Sequence, residues 1–125
     1  MDLDDSILAT IKHMLGVTDE VTAFDEQIVA HINATFMTLR QLQVIDPDGY
    51  FTIHGESESW RDLIDDVRLA DPVRDFIYLR VRLLFDPPAS SVVADAYNSR
   101  LAEVEWRLNS EAEKIAAQAE EGAAG

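Results

Sequence analysis

A mostly apolar segment between two proline-containing turns constrains the fold of this chain more than any other feature. Nine of the 13 residues from 73 to 85 are apolar or aromatic. Asp71-Pro72 before them is typical of a helix start, because the N–H that proline lacks would have no partner in the first turn. Asp86-Pro87-Pro88 after them ends the helix, and the length favours a helix over a strand. A helix that is apolar on nearly all sides must be buried on nearly all sides, so other elements must pack around it.

The last part of the chain predicts one long helix, which opens at Ser90 or Ser91 and runs to about Gln118. Its apolar residues recur every three or four positions: Tyr97, Leu101, Val104, Leu108, Ala112, Ile115 and Ala119. Such a narrow stripe is closer to the seam of a coiled coil than to the broad face of a globular helix. Residues 120–125 have no apolar anchor, and we expect them to fray or to be disordered.

Two shorter amphipathic helices are predicted near the N-terminus. The first covers residues 3–15, with acids at its start and Gly16 placed to end it. The second should begin near Asp25, a preferred N-cap residue. Its apolar face consists of Ile28, Ile32, Phe36 and Leu39.

A turn and a short arm follow these helices. Asp46-Pro47-Asp48-Gly49 is a turn sequence, and the alternating residues 50–54 predict a short strand or hairpin arm. Ser59 can cap a short helix that carries Trp60. The predicted fold is therefore mainly α, a small bundle of about four to five helices with a long C-terminal helix and a β-hairpin or loop arm around residues 44–58. We expect residues 1–110 to form one helical domain, and residues 111–125 a helix extension with a flexible acidic tail.

The chain is strongly acidic, with 24 Asp and Glu residues against 10 Lys and Arg, for a formal net charge of −14. The acids concentrate in residues 1–33, 44–71 and 111–125, whereas residues 72–110 balance five acids with five arginines. A protein that wraps nucleic acid needs a basic footprint, so this excess argues against that role. It favours either a solubilising surface or a surface that repels DNA. With no cysteine, no signal-peptide pattern and no long apolar run, we expect a soluble intracellular protein without disulfides.

The sequence contains no pattern typical of catalysis or metal binding. His13, His31 and His54 lie on three separate elements, without the spacing of a metal site. The segment from Asp46 begins like a calcium loop, but its glycine comes too early and its twelfth position is Ser57. Phosphate-binding glycine loops and nucleophile elbows are missing from the sequence as well. We therefore predict a non-enzymatic protein with no catalytic residue, cofactor or metal.

Arginine usage and one tryptophan point to assembly instead. Eight of the ten basic residues are arginine, which pairs with carboxylates better than lysine does. Trp106 lies off the apolar stripe, and it is either a core residue beneath a neighbouring helix or an interface anchor. An arginine-bearing face that meets a neighbour's acidic face associates head to tail, which gives a ring when the rotation closes. The candidate interface residues are Arg74, Arg80, Arg82, Arg100, Trp106, Arg107 and Ile115.

Several short motifs carry a resemblance to a known family. Two are distinctive together, namely residues 79–91 with their Phe85-Asp86-Pro87-Pro88 turn, and Glu103-x-Glu105-Trp106-Arg107-Leu108-Asn109. Upstream of them come His31-Ile32-Asn33 with Phe36, residues 42–44, Phe51-x-Ile53 and Trp60. Over about residues 5–110 the chain resembles the head-tail connector proteins of tailed phages, also called adaptor or head completion proteins. The acidic Gly-Ala tail is not part of that pattern.

The resemblance implies a structural virion protein of the phage neck, at the head-tail interface, assembled in the host cytoplasm. Such subunits form a ring, expected to be a dodecamer, between the portal protein and a stopper or tail-completion protein. DNA would pass through the ring without specific binding, and no membrane is involved. The interface candidates would then contact neighbouring subunits or the portal, and we expect the last helix and its tail to reach the portal.

Two other interpretations fit a small acidic protein. An acidic DNA mimic, or another regulatory binding protein of phage origin, would occupy a basic groove of its partner and would be a monomer or dimer. A small terminase subunit also forms rings, but it would need a basic DNA-reading helix that this sequence does not supply. The mass of the protein in solution separates a ring from a mimic.

Overall fold

The computed structural model describes residues 2–46 and 48–124, without the side chains of residues 123 and 124. Within these residues the fold is mainly helical and contains no strand. Its five α-helices are α1 (Ile7–Met14), α2 (Asp25–Gln41), α3 (Trp60–Leu63), α4 (Ala70–Phe85) and α5 (Ser91–Ala124), and a 3-10 turn (Val67–Leu69) precedes α4. The predicted fold class, a small bundle with a long C-terminal helix, is confirmed.

Helix α4 lies at the centre of the bundle, in contact with α1, α2 and α5. Of its residues, only Asp71 and Leu84 are exposed, and Phe76, Ile77 and Val81 are buried. It begins at Ala70, two residues earlier than predicted, with Leu69 instead of Asp71 as its N-cap, so Asp71 and Pro72 lie in its first turn. It ends before Asp86-Pro87-Pro88, as predicted. The prediction that this helix is buried on nearly all sides is therefore confirmed.

Helix α1 is shorter than predicted, because tertiary contacts hold the residues before it. It begins at Ile7, where the Ser6 hydroxyl accepts a hydrogen bond from the Ala9 N–H. Residues 3–5 run instead alongside the start of α3, where the Arg61 N–H donates to the Leu3 carbonyl over 2.7 Å. The N-terminal acids thus precede the helix and do not lie in its first turn. Gly16 follows α1 with a φ of 80°, a left-handed conformation that suits glycine at a helix end.

The arm around residues 50–54 is a loop, and the strand alternative is wrong. No partner strand lies beside it in the described residues, and side chains of α2 supply the hydrogen bonds that a strand would otherwise give. The Asn33 amide donates to the Ile53 carbonyl over 2.9 Å and accepts from the Ile53 N–H over 2.8 Å. The Arg40 guanidinium donates to the Phe51 carbonyl, and the Phe51 ring lies 5.8 Å from the Phe36 ring. The arm is therefore fixed to α2 with Ile53 in the core.

Helix α5 follows the predicted stripe but is longer than predicted. Val104 and Leu108 are buried, Tyr97, Leu101, Ala112 and Ile115 are partly buried against the core, and Ala119 is exposed. The expected end near Gln118 is wrong, because the helix continues to Ala124. Alanine, glutamate and glutamine favour the helical conformation, which explains the continuation without a core to pack on.

Candidate assembly surfaces

The three candidate arginines of α4 are each partly buried, and they do not form one exposed face. The Arg74 guanidinium lies 3.0 Å from Asp75 and 3.4 Å from Asp71, and its side chain lines a groove beside α1. Arg82 pairs with Asp86 at 2.8 Å across the end of α4. Arg80 makes no ion pair with any described residue. Arg74 and Arg82 thus pair within their own helix or at its end.

Three of the four candidates on α5 lie together on its exposed side. Trp106 is 71% exposed, so the interpretation of this residue as a core tryptophan is wrong. Arg100, Trp106 and Arg107 line a shared groove of about 360 Å³ between α5 and the start of α4. Arg107 pairs with Glu103 at 2.8 Å, whereas Arg100 is exposed and has no ion pair within the described residues. We call this surface the tryptophan face.

A second surface, which the sequence did not reveal, is a cleft of about 420 Å³. Its buried lining residues are apolar, among them Ile64, Leu69 and Val73. Its acidic lining residues are Asp46, Asp62, Asp65 and Asp66, and the candidate Ile115 lines it from α5. We call it the acidic cleft. These residues are spread over some 70 positions of the sequence, so no local motif announces the cleft.

An ion pair and a hydrogen bond fix α5 beside the acidic cleft. The Arg68 guanidinium donates to the Asp66 carboxylate over 2.7 Å and to the Gln118 amide oxygen over 2.8 Å. The hydrogen bonds from Arg68 lower the pKa of Asp66 to about 2. In the same way, the hydrogen bond and charge of Arg61 lower the pKa of Asp4, which links the N-terminus to α3. The Arg68 contacts attach the far half of α5 to the bundle.

One lysine is fully buried next to the acid that opens α2. Lys12 is 0% exposed, and its Nζ lies 2.8 Å from Asp25 Oδ1, although the two groups are not aligned as a hydrogen bond. Asp25 is the first residue of α2 and the counter-charge of Lys12. The N-cap position, for which Asp25 was the candidate, is taken by Phe24. The pair joins α1 to α2. Because the Lys12 ammonium group is buried, it is not accessible to a ligand.

Apolar side chains are also exposed at the end of the bundle where α4 turns into α5. The Phe24 and Phe85 rings meet edge to face at 5.4 Å. Phe24 is 44% exposed, and Leu84, the residue before Phe85, is 53% exposed. Val92 at the start of α5 is 76% exposed. Exposed apolar groups of this size are typical of contacts between proteins.

The described residues contain no group of three or more His, Asp or Glu side chains placed to hold a metal ion. None of the described helices is long and apolar enough to cross a membrane.

Comparison with known proteins identifies the family to which this chain belongs. A sequence model of the phage connector protein family matches residues 7–115, almost the whole chain. No curated protein and no solved structure matches the chain. The chain therefore belongs to the phage connector protein family, as the resemblance predicted. It is a structural component of the phage virion, from a non-enzymatic family whose members contact other virion components.

The motifs that carried the resemblance have structural roles in this fold. Asn33 holds the arm through Ile53, and Phe36 packs on Phe51. Trp60 is fully buried and donates from its indole nitrogen to the Thr10 hydroxyl over 3.1 Å. Trp106 is the exception, because its side chain is exposed and is not among the residues that pack on the core.

Proposed function

We propose that this connector protein forms a ring, a dodecamer, that joins the phage portal to a stopper or tail-completion protein and extends the DNA channel. The family match over residues 7–115 is the observation that carries the proposal. The exposed tryptophan face and the end surface around Phe24 and Val92 support it, since a ring subunit needs contacts to its neighbours and along the channel axis. The candidate residues Arg74, Arg80, Arg82, Arg100, Trp106, Arg107 and Ile115 are proposed to act in subunit or portal contacts.

The far end of α5 is proposed as the portal contact. Ile115 is the last residue of the helix that packs on the core, and residues 116–122 are all exposed. Nine residues, 116–124, therefore extend past the last core contact, about 13 Å of helix at 1.5 Å per residue. A helix that extends this far past the core, held only at Gln118 by an exposed hydrogen bond from Arg68, is stabilised when it docks on another protein. We accordingly place the boundary between folded body and extension after Ile115, five residues beyond the boundary expected from the sequence.

The acidic surface is proposed to let DNA pass without binding. A net charge of −14 on each of many copies gives the ring a strongly negative potential. Phosphates are repelled by such a wall, whereas basic side chains would hold the DNA through phosphate contacts. The salt dependence of DNA passage through the neck would follow from this repulsion.

Truncation after Ile115 tests the portal contact. Deletion of residues 116–125 removes no side chain that packs on the core, so we expect the circular dichroism spectrum and the urea midpoint to change little. The hydrogen bond from Arg68 to Gln118 is lost, and this bond is exposed. Binding to the cognate portal, measured by co-sedimentation, should fall at least about tenfold. Deletion of residues 123–125 alone is the control and should bind normally. Full portal binding by the longer truncation would refute the assignment.

A further inference from the structure

We infer that Trp106 of one copy docks in the acidic cleft of a neighbouring copy, and that this contact links the subunits of the ring. The inference rests on the proposed ring and adds the pair of surfaces that forms it. Its occupant is a second copy of this chain, for reasons of exposure, geometry and charge.

Trp106 has the exposure of an interface anchor. It is 71% exposed in a helix whose Val104 and Leu108 are buried on the opposite side. Tryptophan and arginine are the side chains most enriched among those that dominate binding energies, and Arg107 is its neighbour. Exposed apolar area of this size favours burial in a partner.

The acidic cleft has the size and lining that an arginine-flanked tryptophan needs. Its volume of about 420 Å³ falls within the roughly 300–1,000 Å³ of pockets that enclose a ligand. Phe51, Leu63 and Ile115, which are only partly buried, provide apolar surface for an indole ring. Asp65 is exposed and makes no ion pair with a described residue, so it is available to an incoming guanidinium.

Helix geometry requires that this contact forms between two copies. Ile115 lines the cleft and Trp106 precedes it by nine residues on α5. At about 100° per residue, nine residues turn through about 900°, which places the two side chains on opposite sides of the helix, and about 13 Å apart along it. A subunit cannot place its own Trp106 in its own cleft. Two different surfaces of one subunit that bind each other give a head-to-tail contact, which closes into a ring or extends into a filament.

Charge favours this pairing over the contact of either surface with itself. The groove beside Trp106 is lined by Arg68, Arg100, Arg107 and Lys114 against three acids. The acidic cleft is lined by four aspartates against Arg40 alone. Two clefts facing each other would bring eight aspartates together, whereas a cleft facing the tryptophan face brings unlike charges together.

Two single substitutions and their mixture test the inference. Trp106→Ala removes the anchor and leaves the cleft intact, and Asp65→Arg reverses the charge of the cleft and leaves the anchor intact. Both residues are exposed, so both variants should fold with an unchanged circular dichroism spectrum. Each variant alone should need at least about 30-fold more protein than the unchanged chain to self-associate, measured by light scattering in solution and on the portal.

The mixture supplies the sharper readout. In a 1:1 mixture, the intact Trp106 of the Asp65→Arg variant can enter the intact cleft of the Trp106→Ala variant. The product should stop at two chains, twice 14.0 kDa, because its remaining two surfaces are both defective. Met37→Ala, which removes an apolar side chain that is 63% exposed, and Glu56→Arg in an exposed loop are the controls and should assemble normally.

Each other outcome contradicts the inference. Normal assembly of Trp106→Ala would show a ring built on other contacts, and the proposed function would stand. Normal self-association with lost portal binding would assign Trp106 to the portal. A mixture that forms large rings, or no complex, would exclude the paired surfaces. If the unchanged chain self-associates neither in solution nor on the portal, both the ring and the inference fail.

Discussion

Removal of the Asn33 side chain should release the arm of residues 50–54 from α2. Phe51 of this arm lines the acidic cleft. The Asn33 amide makes two hydrogen bonds, of 2.9 and 2.8 Å, to the carbonyl and N–H of Ile53, a residue that is 0% exposed. Asn33→Ala leaves both backbone groups unpaired next to the core. Each unpaired group costs about 1–3 kcal/mol, and partial solvation of the site limits the sum to about 2–4 kcal/mol.

Urea denaturation followed by circular dichroism measures this loss of unfolding free energy. In thermal unfolding of a chain of this length, the same loss of about 2–4 kcal/mol lowers Tm by about 8–16 °C. Asn98→Ala is the matched control, because that asparagine donates one exposed hydrogen bond within α5, and its loss should cost less than about 0.5 kcal/mol. Hydrogen exchange of the Ile53 amide should become fast in Asn33→Ala while amides of α4 stay protected. Equal stability of the two variants, with Ile53 still protected, would refute the reasoning.

Two further predictions concern ion pairs. Asp25→Asn leaves the fully buried Lys12 without its counter-charge and should destabilise the protein by about 3 kcal/mol. Lys12→Met leaves only Asp25, whose side chain is 26% exposed to water, and should destabilise the protein clearly less. Equal losses in the urea midpoint of the two variants would contradict this asymmetry. The pKa of Asp66 is lowered from 3.8 to about 2, so its pair with Arg68 stabilises the fold above about pH 4 and this contribution is lost as the pH falls towards 2. In an NMR titration Asp66 should therefore ionise near pH 2, and in Arg68→Gln nearer to 3.8; an unshifted Asp66 in the unchanged chain would disprove the role of Arg68.

Local patterns predicted the parts of the fold that depend on neighbouring residues. The proline-containing segments at residues 71–72 and 86–88 predicted the start of α4 to within two residues and its end at Phe85, and the stripe of α5 identified its buried side. The start of α1 could not be predicted, because it depends on hydrogen bonds to residues 58–61, more than 50 positions away. The sequence of the arm fits both a strand and a loop, since the side chains that fix its conformation belong to α2.

The candidate assembly surfaces could be located from the sequence only in part. Arg100, Trp106 and Arg107 are close in sequence and share one helix, so their common surface could be expected. The exposure of Trp106 could have been read from its phase, because it lies about 200° around the helix from Val104 and Leu108. The acidic cleft could not be found in this way, because it joins residues of α2, the arm, α3, α4 and α5 that only the folded chain brings together.

The central claim is that copies of this protein form a closed ring on a portal. Cryo-electron microscopy of the purified chain mixed with its cognate portal, with the copies counted by native mass spectrometry, tests that claim most directly. We expect a single coaxial ring of 12 copies, the number implied by the family resemblance, with the ends of α5 directed towards the portal. Isolated copies scattered on the portal, or a chain that stays monomeric and leaves the portal bare, would contradict the proposal.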